Sequence, residues 1–472
     1  MNSRNIHPIT KLSLLFVILI ILLAVLLLTP TLQRGITKFF LNLNQFNRIQ
    51  VDWLNAAEVV GSRPKFEFQF SQKMDLDGIP AAFFLEPALD GTWDWLDDQH
   101  AIWTFTNALP EERLIHFGFR ADEKEKNLQI PIRPQEWQAF IRPADLLALK
   151  KVTSGNELFL IHPGSPPAER QLTMSNGKIV DFTFSPDGEQ IIYSLENAQT
   201  GVDLWQMQRD GHDASILLDC GLDRCTAADW NPRLDELVFT REKRRDTAAR
   251  PTWDSPVPLL LDLTTGISAR LLPNEYQFAF DPHWSSRGQW VSLWLGEQFG
   301  IDIIHAGSGV SGYRDPYSGD TGCWSADERH FYYSVLREEG LPIVSSIYQV
   351  DILSGTRKIY TGSQLYDLGF NFYHPVCQPN GQGLLVSVQV DPVISQRELW
   401  WIQPDDSYQV ISNDLSQLVT HYSWNPQGNR VVFLSGSLAR LGDGSRIGIW
   451  SSEAPESIEW LSDGVIQARW LP

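Results

Sequence analysis

The chain is poor in cysteine, in cations and in recognisable catalytic motifs. Four Cys in 472 residues exclude a scaffold in which disulfides stand in for a core, so apolar burial has to carry stability. Lys and Arg number 38 against 57 Asp and Glu, a formal net charge of −19. That balance excludes the broad basic footprint a nucleic-acid backbone requires, and no nucleic-acid partner is expected. No Ser has Gly both two places before and two places after it, so a nucleophile elbow is absent. Nor is there an HExxH, a GxxxxGK[ST] or a GxGxxG behind a strand. No catalytic residue, cofactor or resident metal is assigned.

Aromatics, in contrast, are plentiful: 18 Trp, 24 Phe and 12 Tyr, the side chains that pack well on pleated surfaces. Many stand in a repeat. FSPDGEQIIYS from Phe184 returns as WNPRLDELVFT from Trp230, WSSRGQWVSLW from Trp284 and WSADERHFYYS from Trp324. CQPNGQGLLVS from Cys377, WNPQGNRVVFL from Trp424 and a final WLP from Trp470 follow. Successive anchors lie 46, 54, 40, 53, 47 and 46 residues apart by subtraction of these positions. Such a period, with several strands per unit, predicts an all-β propeller. Residues 145–172 supply three strands without an anchor, and 465–472 an anchor strand without the other three. Pairing them closes a seven-bladed β-propeller over 144–472; six blades is the alternative, with 145–152 as linker. Closure removes free sheet edges. The element W-S-P-D-G-x-x-hydrophobic-x-aromatic, matched best at Phe184–Gly188, resembles the TolB-type propeller repeat.

Upstream, residues 12–33 carry no charge and are long enough for a transmembrane helix. No small-x-small cleavage site follows, so a retained anchor is expected. Residues 34–50 read as a juxtamembrane amphipathic segment, at the membrane surface or packed as a stalk. From 51 to 143, strands such as KFEFQFS alternate in hydropathy and predict a β-sandwich. There FS-x-x-MD, the P…G-x-W-x-W segment and a late LP resemble the bacterial Ig-like domain of envelope proteins, which implies a spacer or adhesion module. Glu111 and Glu112 are expected in a solvated turn.

Three places read as candidate sites. The long connections (241–256, 307–320, 336–346 and 389–398) gather at one end of the ring, where function concentrates on loops held by a rigid frame. At that end, three residues before each anchor, stand Asp181, Ala227, Asp281, Thr321, His374, His421 and Gln467. They predict a polar ring at the channel mouth, a ligand site or simply a wet channel. Arg241, Lys243, Arg244 and Arg245 form a basic cluster for an anionic partner, or a solvated run. Cys220 and Cys225 are spaced for a local disulfide, whereas Cys323 and Cys377 read as small buried residues rather than a bridge. The resulting expectation is a single-pass cell-membrane protein with its bulk extracytoplasmic, binding a protein or glycan of the cell envelope through the long-loop face. The alternative is a hydrolase or lyase using the channel-mouth Asp and His residues.

Overall fold

A computed structural model describes residues 48–472 apart from 55, 75–81, 121–131, 165, 246–250, 273–277, 298, 313–321, 338–343, 361–368, 382, 392, 395, 406, 415 and 438–443. The expected span at 12–33 and residues 34–47 therefore lie outside the described residues. Among the described residues no helix is long and apolar enough to cross a membrane, and every regular element is a β-strand. The chain divides into two compact units. One takes residues up to Glu58, Lys65–Thr104 and Leu114–Ala139; the other takes Val59–Pro64, Phe105–Arg113 and Phe140–Pro472.

In the first unit, Val51–Trp53, Lys65–Phe70, His100–Phe105 and Gly91–Trp95 form one sheet in that order. Gln135–Ile141, Arg113–Phe119 and Phe83–Glu86 belong to a second. The alternation of Lys65–Phe70 turns Phe66, Phe68 and Phe70 inward. Phe66 stacks on Phe117 at 4.2 Å and Phe68 meets Phe119 edge-on at 5.4 Å, so rings from the two sheets make the core.

The second unit is a succession of mostly four-stranded antiparallel sheets, consistent with a β-propeller. Counted along the chain, sheets one to six begin at the strands Ile179–Phe184, Arg224–Trp230, Ala279–Trp284, Cys323–Trp324, Asn371–Cys377 and Gln417–Trp424. A further, closing sheet combines Asp145–Val152, Gly155–His162 and Ala168–Gln171 with Val465–Leu471. Its seam runs antiparallel, with Leu471 opposite Asp145 and Ala468 opposite Ala148. Sheet three keeps three strands, and only a bridge between Ile304 and Ser311 represents a fourth among the described residues.

Buried clusters join neighbouring sheets. Leu385, Phe433 and Trp450 link sheets five and six; Val432, Ile447, Ala148 and Trp470 link sheet six to the closing sheet; Leu147, Leu158, Ile191 and Tyr193 link the closing sheet to sheet one. Each pair thus buries apolar faces that neither sheet covers alone.

The repeated turn is built for structure. Ser185, Ser285 and Ser325 each accept, through Oγ, the backbone N–H five residues on, at 2.9 Å. Asp187 and Asp327 accept the next N–H but one, both at 3.1 Å. Gly188, Gly288 and Gly428 hold the left-handed position, and Glu328 occupies it in sheet four with φ 58°. Glu111 corrects an expectation: it pairs with Arg430 Nη2 at 2.7 Å and is largely covered, rather than sitting in a solvated turn. Both residues belong to the second unit, and the Arg430 guanidinium lies over Trp470.

Candidate functional site

The first strands of six sheets converge on one cavity of about 730 Å³, to which Asp229, His283, Cys323, His374, His421 and Gln467 each contribute. Apart from a single parallel pair between Arg224 and Val202 of sheet one, each strand pairs on one edge with its own sheet, so its other edge faces this space. Of the expected ring, Asp281, His374, His421 and Gln467 line the cavity. Asp181 instead reaches to the next sheet, its Oδ2 accepting the Ala227 N–H at 2.6 Å. Thr321 lies outside the described residues.

The register three residues before the anchor has a conformation of its own. Ala227, Asp281, His374 and His421 have φ of 52°, 51°, 50° and 47°. At each, two residues oppose one on the partner strand: pairing jumps from Thr226 to Asp229, Phe280 to His283, Tyr373 to Val376 and Thr420 to Ser423. These are β-bulges whose left-handed position, ordinarily given to Gly, holds Asp, His or Ala. Such a conformation costs about 1–2 kcal/mol per residue. Strain of this kind clusters where side chains are held for a purpose.

A second register was missed. The residues just before the anchors, Asp229, His283, Cys323, Val376, Ser423 and Arg469, line the same cavity. The period of two along a strand was the available signal: beyond the bulge, this position also faces inward. His283 carries the most altered chemistry. Its Nε2 lies 3.2 Å from Asp281 Oδ1 and its Nδ1 3.7 Å from Asp229 Oδ2, which also accepts the Trp284 N–H at 2.8 Å. Burial by itself would lower the His283 pKa. The Asp281 charge, hydrogen bonds to Asp229 and Asp281, and the Asp229 charge outweigh it and raise the value from 6.5 to about 10. Burial pushes Asp181 up from the usual carboxylate range and His421 down, so His421 is a neutral imidazole at neutral pH. His374, His421 and Asp281 share a cavity, yet among the described residues no three His, Cys, Asp or Glu converge to hold a metal ion.

The basic cluster is largely engaged. Arg241 pairs with Asp223 at 2.8 Å, Arg245 pairs with Asp254, and Arg244 Nη1 donates to the Gln199 carbonyl at 2.9 Å. Of the four cations, Lys243 alone has no ion pair or side-chain hydrogen bond among the described residues. Cys220 and Cys225 are disulfide-bonded. So are Cys323 and Cys377, with Cα atoms 5.6 Å apart, which corrects the reading of these two as separate buried thiols. Adjacent sheets bring inner-strand positions face to face, a proximity that their separation of 54 residues conceals.

No protein-family model matches the chain, and no curated protein matches it. Among solved structures it is distantly similar to TolB from Acinetobacter baumannii: 15% identity over 70% of this chain and 83% of that one, TM-score 0.40. The β-propeller domain of the Trilobed protease from Pyrococcus furiosus matches at 10% identity over 75% of this chain and 96% of that one, TM-score 0.44. A prolyl endopeptidase matches at 11% identity over 76% of this chain and 49% of that one, TM-score 0.48, so this chain spans about half of its length. What these likenesses share with the chain is the β-propeller fold, and they reach no further than that.

Proposed function

We propose that this is a membrane-anchored, extracytoplasmic interaction protein. In this reading residues 12–33 form the anchor, an Ig-like sandwich is the spacer, and a seven-bladed propeller binds a protein or glycan of the cell envelope at its long-loop mouth. The observation that carries it is the strained, polar wall of the mouth cavity, where Asp281, His374 and His421 occupy left-handed bulges. A scaffold needing only a filled channel has no use for that strain. Two disulfides support an oxidising compartment. The test is photo-crosslinking in intact cells, with the photoreactive group at Gln467 and, as control, at Gly266 on the far turn. Adducts with an envelope component from Gln467 alone are expected. Equal labelling from both positions, or none from Gln467, overturns the proposal.

A second reading, a hydrolase or lyase, is favoured by one observation. A protonated His283 beside two carboxylates, Asp281 and Asp229, places a shifted acid in this cavity. Under it, His283→Gln abolishes turnover of an envelope polymer in protein that circular dichroism shows to be folded at the assay temperature; turnover unaffected by this change removes the reading.

A further inference from the structure

A cavity of about 360 Å³ opens at the turn end of sheets four and five and shares only Cys377 with the mouth cavity. Its volume falls in the range of small-molecule sites, about 300–1,000 Å³. Sheet four supplies one wall through the strands His330–Arg337 and Val344–Asp351, where Tyr332 stands opposite Gln349. Further along the same face, Ile347 packs with Phe372 and Val386 of sheet five. The face therefore turns from apolar to polar as it nears the turns.

Tyr332 and Gln349 are 6% and 8% exposed, yet among the described residues neither the Tyr332 hydroxyl nor the Gln349 amide has a hydrogen-bond partner. Both line the cavity, and neither is sealed off from it. Buried polar groups in folded proteins are nearly always bonded, so this wall holds an amide and a phenol for something in the cavity to satisfy. Opposite, Asn380 Nδ2 donates to the Gln427 carbonyl at 3.1 Å, which leaves its Oδ1 as an acceptor. Charge is scarce here. Among the described residues no Lys or Arg lines the space, and its one carboxylate, Asp327, already accepts Ser325 Oγ at 2.6 Å and the Arg329 N–H at 3.1 Å through Oδ1. An anion finds no counter-charge, and a cation finds a carboxylate in use. Hydroxyl groups on neighbouring carbons, which donate and accept at once, match such a wall. Pro379 and Leu384 add apolar surface for the C–H face of a ring.

We propose that this slot binds a neutral hexose unit, free or at the end of a glycan chain, with Tyr332 and Gln349 bonding adjacent hydroxyls. It lies at the other end of the sheets from the mouth and holds whether or not a partner docks there. The test is calorimetric titration of the full-length protein, in a detergent without a sugar headgroup. The probes are D-glucose, D-galactose, D-mannose and N-acetyl-D-glucosamine, with D-glucuronate as the anionic control and cyclohexanol as a ring lacking adjacent hydroxyls. At least one neutral sugar is expected to bind, at least tenfold more tightly than either control. The β(1→4)-linked disaccharide of that sugar separates the sources: tighter binding assigns a glycan chain, and equal or weaker binding a free sugar. Tyr332→Phe and Gln349→Leu, which remove the polar group and keep most of the bulk, are each expected to weaken binding about three- to tenfold. Neither should lower the melting temperature of the unliganded protein, where these groups bond nothing. Binding that both variants leave unchanged, controls that bind as tightly as the sugars, or no binding of any neutral sugar overturns the proposal and leaves the space to water. Crosslinking from Gln467 reads the mouth independently, and its control position, Gly266, belongs to sheet two.

Discussion

His283 concentrates the electrostatics of the mouth in one ring. Because its folded pKa, about 10, lies above the ordinary 6.5, its contribution to stability is complete below 6.5 and disappears as pH rises through 10. Urea denaturation should therefore show stability falling between these pH values, and His283→Gln should flatten that part of the profile. Asp181 runs the same way at lower pH: burial raises its pKa, so stability is also lost as pH climbs above the ordinary carboxylate range and the buried group ionises. Asp181→Asn keeps an acceptor for the Ala227 N–H and should raise the melting temperature at neutral pH. Backbone strain gives a third test. Ala227 sits at φ 52°, where a β-branched side chain is an outlier, so Ala227→Val should cost about 1–2 kcal/mol and Ala227→Gly should not. The ring positions were legible because they recur at one offset from the anchor. Their left-handed backbone was not, since Asp and His carry only a weak preference for it and Ala none.

At the scale of elements, a covalent bond joins sheets four and five. Among the described residues the inner strand of sheet four, Cys323–Trp324, makes two residue pairs with its neighbour, and the inner strand of sheet five makes five. The bond from Cys323 to Cys377 fastens the one inner strand to the other. Replacing both with Ser should lower unfolding free energy by about 2–4 kcal/mol, measured against the oxidised parent in denaturant. The strand–turn–strand units were plain in the sequence because turn chemistry and alternating hydropathy agree there. Pairing partners between sheets were not, and Cys377, standing where the other anchors are mostly Trp, was the unread sign of it. Glu111 failed for the same reason: its partner Arg430 lies 319 positions away.

For the molecule as a whole, the seam decides whether the ring is closed. Besides its backbone pairs it has a buried latch: Arg209 donates to Asp145 Oδ2 at 2.6 Å, to the Pro472 carbonyl at 2.8 Å and to the Gly188 carbonyl at 3.1 Å. Removing Arg209 leaves the buried Asp145 with His162 Nδ1 at 2.8 Å as its remaining partner, so the cost falls below the roughly 3–5 kcal/mol of a fully unpaired buried charge. Arg209→Met should therefore destabilise the closing sheet first, seen as early loss of hydrogen-exchange protection in Asp145–Val152 and Val465–Leu471. Protection lost uniformly across the sheets would contradict this.

The seam also sets a timetable for synthesis. Residue 152 leaves the ribosome 313 positions before residue 465, by subtraction of the seam's inner limits. At roughly 5–20 residues per second that is about 15–60 s during which Leu146, Leu147, Ala148 and Leu149 wait for their partner strand. An apolar edge exposed that long needs a chaperone, or passage across a membrane still unfolded, before the last strand arrives to complete it.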